Sequence, residues 1–150
     1  MQLNPYLLFN GQCEEAFRFY ERVLGARIES VLLHEGTPAE AHTAPEWRKK
    51  VMHGRLTLNG QTVMASDCPP DRYAPPQGFS INLGYQDPGE AERVFGALAA
   101  DGQVRMPIQE TFWALRFGMV VDRFGIPWMV NCEKARLDLE TMQDYQAAVA

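Results

Sequence analysis

The sequence predicts an α+β fold made of two βαβββ units, forming curved mixed sheets with helices on their outer faces. Three observations predict it. Residues 14–25 match 89–100 at an offset of 75, which places Ala16 on Ala91, Arg18 on Arg93, Tyr20 on Phe95 and Val23 on Leu98. Residues 59–65 match 124–130 at an offset of 65, which places Met64 on Met129. Each helix-like segment follows a short apolar run, Tyr6–Phe9 or Phe79–Tyr85. The offsets differ by ten, and the polar stretch 35–48 is the simplest place for the extra residues. A duplicated unit points to a pseudo-twofold protein, with a site where the copies meet. The chain reads as one domain, residues 1–150, with units at about 3–67 and 79–132 and a C-terminal tail 133–150.

Each element has its own signal. Leu3–Phe9 is short and apolar, a strand. In Gln12–Leu24, Ala16, Phe17, Tyr20, Val23 and Leu24 fall on one helical face, and Gly25 is a stop. Arg27–His34 alternates and reads as a strand, and 35–48, with two prolines, as a loop. Lys50–Leu58 and Gln61–Ser66 flank Asn59-Gly60, a hairpin signal. Residues 68–78, with four prolines, link the halves. Phe79–Tyr85 is a strand. Pro88–Ala100 is a helix with Asp87 as its N-cap. Gln103–Pro107 is a strand, and Arg116–Val121 with Ile126–Cys132 a hairpin around 122–125. Asp138–Val149 is expected to form a short helix.

Bulk composition narrows the function classes. A net charge of −5 and no long basic block argue against nucleic acid, which needs a cationic surface. The N-terminus lacks a basic region followed by an apolar run, so no signal peptide is expected, and no apolar run is long enough to span a membrane. Three widely spaced cysteines, Cys13, Cys68 and Cys132, suit free thiols in a reducing cytoplasm.

Several segments together resemble a known family. They are Asn4-Pro5-Tyr6-Leu7, Ala16-Phe17-Arg18-Phe19-Tyr20, Val51-Met52-His53-Gly54-Arg55-Leu56, Met64-Ala65-Ser66-Asp67, Phe112-Trp113 and Asp122-Arg123-Phe124-Gly125-Ile126-Pro127-Trp128. The chain resembles the PhnB-like family of the vicinal-oxygen-chelate superfamily, which includes glyoxalase I, extradiol dioxygenases and bleomycin-resistance proteins. After Phe112-Trp113, Ala114-Leu115 departs from the small polar residue usual there. Some relatives carry a methyltransferase name for demethylubiquinone, but no glycine-rich cofactor loop follows a strand here.

The resemblance implies where a metal would sit. Metal-dependent members take ligands from the first and last strand of each unit, which corresponds here to Pro5, Met64, Ser80 and Met129. None is an imidazole or carboxylate, and thioethers favour Cu(I) rather than the hard ions of the superfamily. No metal and no cofactor are therefore expected, and the two methionines read as packing of an adaptable pocket.

Without a metal, His53 is the candidate catalytic residue. Alternation puts Val51, His53, Arg55 and Thr57 on one face of their strand, opposite the core set Met52, Gly54, Leu56 and Leu58. A cationic neighbour favours the neutral imidazole that a general base needs. Arg55 and Arg116 are candidate anion clamps, with a salt bridge to Asp67 or Asp122 as the competing role. Asn82, on the face of Ser80, is a candidate hydrogen-bonding residue, and Trp113 a stacking surface or interface residue. Trp128 reads as core. His42 and Glu46 have metal-pair spacing, but Pro45 and the loop between them argue against a site. No cysteine has a histidine nearby to activate it. The expected function is that of a cytoplasmic homodimer binding a small organic molecule in a cavity lined by both units or both subunits. The alternatives are an enzyme with His53 as base and an arginine clamp, and a metal-dependent lyase or dioxygenase of glyoxalase type.

Overall fold

A computed structural model describes residues 1–134. The chain divides into two compact units, Met1–Pro76 and Gln77–Ala150. The first holds β1 (Tyr6–Phe9), α1 (Cys13–Leu24), β2 (Arg27–Leu33), β3 (Val51–Leu58) and β4 (Gln61–Asp67). The second holds β5 (Ile81–Gly84), α2 (Pro88–Ala99), β6 (Gln103–Gln109), β7 (Ala114–Val121) and β8 (Pro127–Glu133). Their sheets run in the same order, β1-β4-β3-β2 and β5-β8-β7-β6. In each, the first strand is parallel to the last and the other pairings are antiparallel. The predicted α+β architecture is therefore observed, with both repeats in sequence order. The expected helix at 138–149 lies outside the described residues.

Local chemistry explains the boundaries. Gly25, at φ 69°, ends α1 in the left-handed conformation. Gln12 supplies no cap to α1; the Asp67 carboxylate does so from the end of β4, accepting from Cys13 N at 2.9 Å. Asp87 caps α2 by accepting from Gly89 N. Asn59 and Gly60 both have positive φ, the primed turn that matches strand twist. β6 runs two residues past the expected stop at Pro107, because an edge strand tolerates a missing N–H. The loop 35–48 is not featureless: Pro38–His42 and Pro45–Trp47 form 3₁₀ turns.

Each helix covers one face of its own sheet. In the first unit Leu7, Phe9, Phe17, Tyr20, Leu56 and Ala65 are buried, and in the second Leu83, Val94, Leu98, Val120, Trp128 and Val130. Close helix contact requires a glycine beneath it. A Cβ at Gly54 would lie 2.8 Å from the Phe17 ring, and one at Gly118 2.6 Å from the Phe95 ring.

Candidate functional site

Strand alternation leaves the second face of each sheet open. In the first unit this face carries Tyr6 and Leu8 from β1, Met64 and Ser66 from β4, His53 and Arg55 from β3, and Leu32 from β2. Tyr6, Leu8 and Leu32 are each close to half exposed. Tyr6 and His53 are separated in the sheet by β4, yet the Tyr6 hydroxyl lies 3.1 Å from His53 Nδ1. Strand alternation places His53 on this face, but no local pattern reveals its partner, which is 47 residues away. Arg55 lies beside Met64 in register, and its Nε is 3.7 Å from Glu29 Oε2. Its carboxylate partner is therefore Glu29, not Asp67.

Val51 departs from the expected alternation. A register irregularity between Leu32 and Leu33 accompanies its burial, and its N–H donates to Asp67 Oδ2. At one end of the open face, Leu8 and Ser66 continue into a cleft of about 630 Å³ whose wall includes His34, His42 and Trp47. His53, Arg55 and Met64 do not line it. Glu46 shares the cleft with His42, but among the described residues no three His, Cys, Asp or Glu side chains form a ligand group.

The second unit repeats the open face with different side chains. Asn82 lies beside Met129, Met129 beside Met119, and Asn131 between Gly84 and Phe117. The Trp113 ring sits 5.4 Å from Phe117 and 4.7 Å from Phe112 in edge-on contacts. Trp113 thus lies against this face just before β7. Phe117 and Asn131 were missed in sequence, although they alternate with the core residues Gly118 and Val130. Arg116 corrects an expectation: it pairs with Cys132 on the helix side, where it is ion-paired to Glu92 of α2. That pairing holds its guanidinium firmly protonated. Its partner is not Asp122.

Register also corrects the predicted ligand set. Tyr6 lies opposite Met64, and Asn82 opposite Met129, so the methionines correspond as expected. The first strands, however, correspond at an offset of 76 rather than 75, and Pro5 matches Ile81, not Ser80. Ser80 precedes β5. The residues beside the methionines are a phenol and an amide, so the corrected set still lacks a carboxylate or imidazole. These donors do not fit the divalent ion of the superfamily.

Two of the family-like motifs have structural roles. Asp67 holds Cys13 N and Val51 N. Asp122 accepts from Phe124 N, Ile126 N and Trp128 Nε1. Both are buried, as is Trp128. Burial, reinforced by Asp67 and Glu14, pushes the Cys13 thiol far above its ordinary range, so it is no nucleophile.

Comparison with known proteins finds a family model described as 3-demethylubiquinone-9 3-methyltransferase matching residues 1–131. Protein YjdN of Escherichia coli K12 is 38% identical over 142 residues, covering 89% of this chain and 97% of that one. The crystal structure of PA1353 from Pseudomonas aeruginosa, 46% identical, aligns with TM-score 0.80 over 89% of this chain and 98% of that chain. A PhnB protein from Bacillus cereus, 26% identical, aligns with TM-score 0.73 over 88% and 99%. FosX of Listeria monocytogenes, a fosfomycin resistance protein, shares the fold at 10% identity, with TM-score 0.62 over 94% and 96%.

Proposed function

Because the chain belongs to the PhnB-like family of vicinal-oxygen-chelate proteins, we propose that it binds a small organic molecule on the open faces of its sheets, without a divalent metal, as a cytoplasmic homodimer. One observation carries the reading. Each sheet is covered by its helix on one side, while the other side presents Tyr6, Leu8 and Met64, or Phe117, Met119 and Met129, among polar groups. Apolar surface with a few placed polar groups is the usual make-up of a ligand site. Free thiols at Cys13, Cys68 and Cys132 suit a reducing compartment. Methyl transfer finds no support: the β1–α1 connection, Asn10-Gly11-Gln12, has a single glycine and no glycine-rich cofactor cradle.

A second reading keeps His53 as a general base. With Nδ1–H donating to the Tyr6 oxygen, Nε2 keeps its lone pair for a substrate proton. The arginine clamp drops out of that reading, because Glu29 and Glu92 neutralise Arg55 and Arg116. The test is calorimetric melting of the purified protein with metals, with chelator and with a metabolite collection, alongside elemental analysis. The expected result is no stoichiometric metal, no effect of chelator, and a raised Tm with an organic ligand. About one Zn, Ni, Fe or Mn per chain, lost on replacing Met64 or Met129, would overturn the metal-free reading.

A further inference from the structure

Nothing among the described residues requires a glycine at position 84. Its φ is not positive, and among the described residues a Cβ built on it meets nothing within 4 Å. Gly102 and Gly118 differ, since a Cβ there would meet the Val121 carbonyl at 2.5 Å or the Phe95 ring at 2.6 Å. Gly84 lies opposite Asn131 in register and lines a cleft of about 680 Å³ with Asn82, Asn131, Leu115 and Glu133. A side chain at 84 would enter that cleft.

Asn131 gives the recess its polarity. Its Nδ2 donates to Glu133 Oε1 at 3.1 Å, which fixes the orientation of the amide. Its Oδ1 is buried and has no hydrogen-bond partner among the described residues. Buried acceptors are almost always paired, so this one awaits a donor. Nearby cations are engaged: Arg116 by Glu92, and Lys134 by Glu110 at 2.7 Å. The recess therefore offers the acceptors of Asn131 and Glu133 beside Leu115, with Asn82, Tyr85, Gln86 and Lys134 completing its lining and Phe117 opposite Asn131 in register.

We propose that the Gly84–Asn131 recess is a ligand subsite that takes the N–H donor head, an amide or ammonium, of a small molecule whose apolar body lies against Leu115 and Phe117. This rests on the open-face reading and turns it away from anionic ligands. The backbone of Gly84 allows the head to reach Asn131 Oδ1, and Glu133 favours a neutral or cationic head over a carboxylate.

The test uses benzamide, benzylamine and benzoate as probes, with ¹H–¹⁵N spectra of the full-length protein. Benzamide and benzylammonium should shift the Gly84 backbone and Asn131 side-chain signals, and benzoate should leave them in place. Gly84→Val should keep the wild-type melting profile and weaken benzamide binding at least tenfold; should it unfold, Gly84→Ala and Asn131→Leu carry the same expectation. Equal shifts with benzoate, or unchanged benzamide affinity in these variants, would overturn the subsite. Benzamide shifts confined to Tyr6, His53 and Met64 would reject the recess and keep the open-face reading. Silence of all three probes on both open faces would reject both.

Discussion

Asp67 and Asp122 are the buried charged residues among those described, and each holds backbone N–H groups that would otherwise go unpaired. Removing such an acceptor leaves several donors buried at once. Asp122→Ala is therefore expected to destabilise by roughly 3 kcal/mol in urea unfolding, since bonds to a charged group contribute about 1.5–3 kcal/mol each and do not add fully. Cys13 yields a pH prediction. Its folded pKa lies above the ordinary value of 9.0, with burial as the main cause, then Asp67 and Glu14. Its contribution is fully present below pH 9.0; above it the unfolded chain gives up a proton that the folded chain keeps, and stability falls as pH rises. Cys13→Ala should flatten that alkaline loss in a pH series of melting curves. Under native conditions iodoacetamide should label the half-buried Cys68 before the buried Cys13 and Cys132.

At the scale of the element, the third strand of each sheet carries a glycine beneath a helix phenylalanine. Gly118 is the tighter, because its Cβ would also meet Ile108 Cα at 2.9 Å, and backbone does not give way as a side-chain tip does. Gly118→Ala is expected to cost about 1–3 kcal/mol, the usual range for overpacking. Gly84→Ala should stay within about 0.5 kcal/mol, as for a site that touches nothing. Chemical denaturation of both variants decides the matter: equal losses would mean that Gly84 also has a packing role. Helix starts follow two rules in this chain. Asp87 caps α2 locally and was legible in sequence, whereas α1 takes its cap from Asp67, 54 residues away, which no local pattern reveals.

For the whole molecule, the proposed homodimer should sediment at about twice the chain mass of 17.0 kDa. A clean monomer at micromolar concentration would sink that proposal. Its motive is the edge strands and open apolar faces, which partners commonly cover.

The sequence by itself determined the repeat, the order of the elements in both units and the side of β3 that carries His53. Those follow from local rules: a period near 3.6 or 2, a glycine that allows positive φ, and an aspartate that caps a helix. It also showed that the methionines correspond, since Met64 and Met129 lie at equivalent register positions. Tertiary structure decided what depends on pairing between distant strands. A one-residue difference before α2 moved the mate of Pro5 from Ser80 to Ile81. Arg116 stands opposite Cys132, on the side that α2 covers, where Glu92 takes its charge. The Tyr6–His53 contact crosses an intervening strand. Alternation fixes which residues share a face, but register fixes their neighbours, and register is set by hydrogen bonding over the whole sheet.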